Sequence, residues 1–420
     1  MGKRANGEGS VFPYKDGWAG YVWVTTPEGK KTRKWAYGKS REETHEKWLK
    51  LHELAGKGPV ATKYPTLGDF LGRWLREVIK PNREPTTYAG YEALVRLYMI
   101  PGLGKKRLDK LTVRDVQNWI NTLPELCTCC DQKKDLKRSD GKRCCSEGKC
   151  CQTFPSRGTI ASIRRVLRSA LGHAIREELI SKNVIALTTL PNASKNGKKR
   201  KHDTWSVEEA RRFLEHLRAV EEPLYAAFVL TLVLGLRRGE VLGLTWEFVD
   251  LDDRELWIFR QLTRVHGQLL HRDTTKTEDS AASLPLPGLC VTALRHRLRI
   301  QMNARDAAGD RWKDSDLVFT TKYGTPVEPR NFNRSFDMHC RKAGVPRIRV
   351  HDTRHTCASI LAALDVHPRV AMRILRHSQI SVTMDVYTQV PTPETRKALD
   401  RLNESLGDER AQGRSGTQRP

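Results

Sequence analysis

The spacing of apolar residues changes period several times along this 420-residue chain. In GWAGYVWVTTPEGKKTRKWAYG, apolar and polar positions alternate around a Pro-Glu-Gly-Lys turn, which predicts paired strands. REETHEKWLKLHEL then predicts a helix, with Trp48, Leu51 and Leu54 on three-residue steps. PVATKYP reads as a linker. From Thr66 the period is helical, and TLGDFLGRWLREVIK sets Leu67, Phe70, Leu71, Trp74 and Val78 on one face. EPTTYAGYEALVRLYMIPGLG predicts a second helix running into a Pro-Gly-x-Gly breaker. LTVRDVQNWINTL predicts a third, with Thr112 as its N-cap. A fourth, from about Thr159 to Ser181, turns Ile163, Val166, Leu167, Ala170, Leu171, Ala174 and Ile175 inward. Arg164, Arg165 and Arg168 lie off that stripe.

PNASKNGKKRKHD has no apolar periodicity and reads as a basic linker over residues 191–203. Beyond it, Ser206 and Glu209 have the spacing of a capping box. EEPLYAAFVLTLVLGLRRGEVLGLTW is a strongly apolar helix that breaks at Gly235, leaving Arg237 near a helix N-terminus. ELWIFR and SLPLP look like strands, with a lysine-bearing turn before the second. Residues 288–345 return to helix around a VFTTKYGTPV hairpin. The stretch Val350–Val390 reads as three short helices. His351 and Arg354 share a face of the first, Pro368 opens the second, which ends near His377, and Tyr387 closes the third. ETRKALDRLNESL predicts one more short helix, and the last dozen residues have a disordered composition. The expected fold class is mostly α with small β elements. The expected divisions are an N-terminal sheet-plus-helix unit (1–58), a four-helix unit (66–190), a mixed α/β unit (204–400) and a tail (401–420).

Charge narrows the choice of partner. Lys+Arg 74 against Asp+Glu 49 gives a formal charge of +25, the footprint of a protein that meets a polyanion. There is no apolar run of membrane-spanning length, no signal-peptide core in MGKRANGEGS, and no serine or threonine where myristoylation needs one. Nucleic acid is therefore the expected partner, and a cytoplasmic, nucleoid-associated location is expected. In the first unit, Lys30, Lys31, Arg33 and Lys34 interleave with Trp23, Trp35 and Tyr37, a mixture suited to lying against DNA.

The candidate chemistry gathers in Val350–Val390. A tyrosine hydroxyl among cationic and imidazole groups suits attack on phosphorus, because cations neutralise the phosphate being attacked. GLRRGE supplies Arg237 and Glu240, and Lys276 stands alone before SLPLP. In order, the pieces GLRRGE, the lone lysine, HDTRH, LRHS and TMDVYTQV resemble the tyrosine recombinases, the phage-integrase family of site-specific recombinases. The resemblance spans about 150 residues and carries implications for each position. Arg237 and Arg354 would grip the scissile phosphate, with Arg238 as the rival for Arg237. Tyr387 would attack and form a covalent 3′-phosphotyrosyl link. Lys276 would protonate the leaving 5′ oxygen, His351 would act as base or phosphate donor, and His377 would donate to the phosphate. His355 would be structural, and Glu240 would orient its neighbours. The first unit resembles an arm-binding domain and the four-helix unit a core-binding domain. The family further implies integration or excision of a mobile element by a homotetramer on double-stranded attachment sites. It needs no catalytic cofactor, and an excisionase and a host DNA-bending protein are candidate helpers. The competing readings are a type IB topoisomerase-like enzyme and a non-catalytic DNA-binding regulator. The sequence departs from the family at Arg376, where glycine is common, at Ala282 and at Gln389.

Seven of the ten cysteines fall in CTCCDQKKDLKRSDGKRCCSEGKCC, between the third and fourth helices. Cys127, Cys129, Cys130, Cys144, Cys145, Cys150 and Cys151 are candidate ligands for a structural zinc, with one ion per chain expected. Adjacent cysteines are not expected to share an ion.

Overall fold

The computed structural model of the chain describes residues 11–26, 29–58, 60, 64–191, 203–273, 283–376 and 379–387. They form two compact units that divide between residues 198 and 199.

The first unit opens with an antiparallel sheet of β1 (Val11–Tyr14), β2 (Gly17–Thr25) and β3 (Lys31–Gly38) in that order. Its register sets Tyr21 opposite Trp35 and Val22 opposite Lys34, so alternate residues part to opposite faces. One face carries Val22, Val24 and Ala36 against Trp48 and Leu51 of helix Arg41–Lys57. Ser40 caps that helix by accepting the Glu43 N–H, and the Trp48 indole donates to Tyr21 O. The other face leaves Tyr14, Trp23, Trp35 and Tyr37 exposed. Leu54 departs from the expected buried stripe: it is exposed and lines a cleft with Val60, Tyr64 and Ile175. Lys34 also departs from the expected basic face. It lies on the helix side of the sheet and donates to Tyr64 Oη at 3.0 Å.

The bundle follows. Helix Leu67–Trp74, capped by Thr66, runs on through a π-helical turn at Leu75–Ile79, and helix Pro85–Leu94 does the same at Val95–Met99. Helix Val113–Thr122 starts with a reciprocal Thr112–Asp115 capping box, and helix Arg157–Arg176 is capped by Ser156. Phe70, Trp74, Met99, Ile120, Ile163 and Leu167 meet in one core. The fourth helix stops at Arg176, short of Ser181, because Glu178 takes a left-handed φ of 57° and the Leu179 N–H turns back to Ala174 O. Ile175 sits in that last turn and faces the cleft instead of the core. Arg164 is not a surface cation: its Nη2 donates to Thr188 O at 2.9 Å and pins the turn Val184–Leu187.

In the second unit the apolar helix Tyr225–Val233 is the centre, packed against helices Val207–Ala219, Gly288–Ala308 and Asp352–Ala363. Phe213, Phe228, Phe332 and Phe336 stack around it with ring centroids 4.7–5.7 Å apart. The Ser206–Glu209 capping box is present. A small sheet orders as β4 (Val249–Asp250), β5 (Glu255–Trp257) and β8 (Ser283–Pro285). A separate hairpin of β6 (Arg260–Val265) and β7 (Gln268–Asp273) turns at His266 and Gly267, both at positive φ. The sequence carries little sign of it, since His-Gly is a weak turn signal and charges interrupt the alternation. The hairpin expected in VFTTKYGTPV reduces to a turn with a single bridge, Thr320 to Pro326, where proline offers no N–H to extend pairing. Of the linker read at 191–203, only Pro191 and Asp203 are among the described residues. The tail and the helix read in ETRKALDRLNESL lie outside them.

Candidate active site

The site is built at the break after the central helix. Gly235 takes φ +60°, and a Cβ there would lie 2.5 Å from Leu375 Cδ2 and 3.5 Å from Arg354 Cγ, so the reversal and the close packing both require glycine. Its carbonyl accepts Arg354 Nη1 at 2.6 Å, and Arg354 Nη2 donates to Leu375 O. Arg354 is thus a buried guanidinium held by two backbone carbonyls from two other segments. Burial, and then the neighbouring Arg237, push its pKa down to about 9, so it still carries its charge at neutral pH.

After the break the chain restarts as the short helix Arg238–Leu242, with Arg237 at its N-cap. Glu240 closes the first turn. Its carboxylate accepts the Arg237 N–H and Arg237 Nη1, each at 2.8 Å, and Arg376 Nη2 at 2.6 Å. Burial opposes the charge on Glu240, but Arg376 and Arg237 together win and hold its pKa below the ordinary value. Arg237 keeps nearly half its side chain open to solvent. Arg238 turns away to Asn333 Oδ1 at 3.0 Å. Gly243, just past this helix, lets β6 approach: a Cβ would meet Leu262 N at 2.6 Å.

His351 is the N-cap residue of helix Asp352–Ala363, one turn before Arg354. Partial burial and then the Arg354 charge lower its pKa, with Asp352 opposing, so the imidazole is neutral at pH 7. His355 stands edge-on to it, ring centroids 5.4 Å apart. Asp352 is clamped by Arg349 Nε at 2.9 Å and Nη2 at 2.7 Å, which fixes the start of the helix. Tyr387 ends helix Ile380–Tyr387, and its hydroxyl donates to Val366 O at 2.7 Å. Burial raises its pKa, so it is a protonated phenol at neutral pH.

Arg237, His351 and Arg354 therefore stand within one electrostatic neighbourhood, while Tyr387 is docked on the loop between helices Asp352–Ala363 and Pro368–Leu375. Lys276 and His377 lie outside the described residues. In the sequence Arg376 stands out only as a departure from glycine. It caps helix Pro368–Leu375 at φ 52° and sends its guanidinium onto Glu240, and its Nη1 is buried with no partner among the described residues.

The cysteines of the first unit converge as well. The Sγ atoms of Cys127, Cys130, Cys145 and Cys150 lie within 4.8 Å of one another, as do those of Cys129, Cys144, Cys145 and Cys151. Cys144 and Cys145, adjacent in sequence, fall in the same four-sulfur set. Among the described residues no helix is long and apolar enough to cross a membrane.

The Phage integrase family matches residues 205–393, and the phage integrase N-terminal SAM-like domain matches 66–123. The chain belongs to the phage integrase family and is a tyrosine site-specific recombinase. A "Tyrosine recombinase XerC-like" protein of Caldanaerobacter subterraneus is 27% identical over 391 residues, covering 90% of this chain and 93% of the relative. An integrase of Streptomyces ambofaciens is 26% identical over 397 residues, covering 88% and 90%. The Tn1549 transposon integrase, solved in complex with transposon right end DNA, shares the fold at a TM-score of 0.62 and 21% identity, covering 82% of this chain and 100% of that one.

Proposed function

We propose that this recombinase cleaves and rejoins double-stranded DNA at attachment sites through a covalent 3′-phosphotyrosyl intermediate, integrating or excising a mobile element. The observation that carries the reading is the pair Arg237 and Arg354, fixed by the Glu240 carboxylate and the Gly235 carbonyl beside a neutral His351. Preorganised guanidiniums stabilise the charge that a phosphodiester gains in its transition state. Tyr387 attacks phosphorus with its hydroxyl oxygen, and the 5′ oxygen leaves with a proton from Lys276. A protonated tyrosine needs a base, and His351 is neutral and able to accept its proton. His377 donates to the phosphate. To attack, Tyr387 exchanges its bond to Val366 O, an exchange that costs about 1 kcal/mol. The 5′-hydroxyl of a partner strand then displaces the tyrosine and reseals the DNA.

The sheet-plus-helix unit at 1–58 is assigned to arm-type sites. Its exposed Trp23, Trp35 and Tyr37 and the Arg33 guanidinium, 4.8 Å from the Trp23 ring centroid, support this. The bundle at 66–190 is assigned to the core site and 204–400 to catalysis. The enzyme acts as a homotetramer on DNA in the nucleoid, with an excisionase and a DNA-bending protein as helpers. The cysteine-rich segment holds structural zinc, supported by its converging sulfurs.

A nicked suicide substrate tests the chemistry. Wild-type protein becomes covalently attached, while Tyr387→Phe binds without attaching. Attachment persisting in the variant refutes the nucleophile, and a wild-type protein that binds without attaching refutes the recombinase reading.

A further inference from the structure

The cysteine-rich segment of the first unit has no apolar core of its own. Between Cys127 and Phe154 the chain buries only Cys127, Thr128, Cys129 and Asp135, and Leu136 and Phe154 point to solvent. Its ends are tied by Thr128, whose N–H and hydroxyl both donate to Thr153 O at 2.9 Å. A stretch this long with no apolar interior needs another source of order, and in small scaffolds that source is a disulfide or a metal.

The sulfurs exclude disulfides as that source. Cys145 Sγ has three sulfur neighbours at nearly one distance: Cys151 at 3.7 Å, Cys144 at 3.8 Å and Cys127 at 3.9 Å. Disulfides would draw sulfurs together in pairs at about 2 Å. Cys129 to Cys144 and Cys130 to Cys150 are each 3.9 Å. A tetrahedron of thiolates about 2.3 Å from a central zinc has edges of about 3.8 Å. The two four-sulfur sets use all seven cysteines of the segment, and they share one member, Cys145.

We propose that the segment holds two zinc ions in a single cluster, bridged by the Cys145 thiolate. Cys127, Cys130 and Cys150 complete the first site, and Cys129, Cys144 and Cys151 complete the second. The proposal rests on the structural-zinc reading and goes beyond it in ion count and in the shared ligand. Local structure fits each role. Cys127 is the N-cap of one helical turn, Thr128–Asp131, and Cys130 lies within it, which brings the two sulfurs to the same side. The bridging sulfur accepts the Cys151 N–H at 3.5 Å. Seven thiolates outweigh two dications, and Arg138 Nη1 offsets part of the excess by donating to Cys144 Sγ at 3.1 Å. Asp135 orders the turn that carries Cys144 and Cys145, accepting the Cys144 N–H at 2.9 Å, the Ser146 N–H at 2.8 Å and the Ser146 hydroxyl at 2.5 Å. Zinc suits the donor set better than an iron–sulfur centre. Such a centre takes four cysteines and bridges its irons with inorganic sulfide, which leaves three of these seven unused.

The test is made on the purified full-length chain. Native mass spectrometry with elemental analysis should give two zinc ions per chain. One ion per chain overturns the shared cluster while the structural-zinc reading stands; no metal overturns both; iron with sulfide overturns both. After exchange with cadmium-113, two tetrathiolate resonances should split each other through the common sulfur, and two unsplit resonances overturn the bridge. Cys130→Ser should leave one ion, and Cys145→Ser should weaken both sites together. Loss of a single ion from Cys145→Ser overturns the proposal. Should Cys145→Ser not fold, the wild-type cadmium spectrum decides.

Discussion

Replacing Glu240 by glutamine tests whether the arginine arrangement depends on a single carboxylate. The substitution keeps size and one acceptor oxygen but removes the charge shared by Arg237 and Arg376. The two pairs differ in weight. Arg237 is half-open to water, so its pair contributes at most about 1 kcal/mol. Arg376 and Glu240 are both close to fully buried, and removing one partner of such a pair costs about 3–5 kcal/mol, because the other charge stays buried alone. With one acceptor retained, Glu240→Gln should destabilise the second unit by about 3 kcal/mol, lowering its unfolding temperature by roughly 6–12 °C. The pH dependence has a definite sign. The folded carboxylate titrates below the ordinary glutamate value, so its contribution is complete above the unfolded pKa and is lost as pH falls through the folded one. The gap between wild type and variant should be constant near neutrality and close in acid. Scanning calorimetry from pH 7.5 down to about pH 3, past the unfolded glutamate pKa, measures it. Suicide-substrate cleavage measured beside it should fall by a larger factor than DNA binding, because the bulk of the basic surface is untouched. A variant that melts within about 2 °C of wild type at neutral pH would show that the backbone alone positions these arginines.

Gly235→Ala should cost about 3 kcal/mol, combining a left-handed alanine with a methyl pressed 2.5 Å from buried Leu375. Cleavage should drop further than stability, since the Gly235 carbonyl anchors Arg354, and denaturant unfolding beside single-turnover cleavage checks this. An unaltered cleavage rate in folded Gly235→Ala would contradict that anchoring. In the N-terminal sheet, Arg33→Ala should weaken arm-type DNA binding and reduce the slope of log affinity against log salt by about one. Trp35→Ala should weaken binding with the salt slope kept, and core-site cleavage by either variant should match wild type.

What the sequence made legible was whatever local period and local caps decide. Thr112, Ser206 and the apolar run ending at Gly235 each announce a boundary within three or four residues of it, and the structure keeps them. The parts that stayed hidden depend on partners distant in the chain. Arg164 looked like a surface cation because its acceptor, Thr188 O, lies 24 residues on in an irregular turn. Ile175 fitted the helical stripe, but a C-terminal cap two residues later turned that end of the helix toward a cleft. The cysteine spacing gave no clean tetrahedral motif because one sulfur serves two sets, which a linear count cannot express.

Arg376 is the sharpest instance. Its backbone sits at φ 52°, a conformation that glycine adopts freely and that strains an arginine by roughly 1 kcal/mol. Read along the chain, the residue is simply a poor choice for a helix cap. Across the fold it has a use, for its guanidinium reaches Glu240, 136 residues away, at 2.6 Å. The charge-assisted bond, worth about 1.5–3 kcal/mol, outweighs the strain. The loop that precedes His377 is thereby tethered to the carboxylate that orients Arg237. The departure from glycine thus couples two segments of the candidate site that the chain order keeps apart.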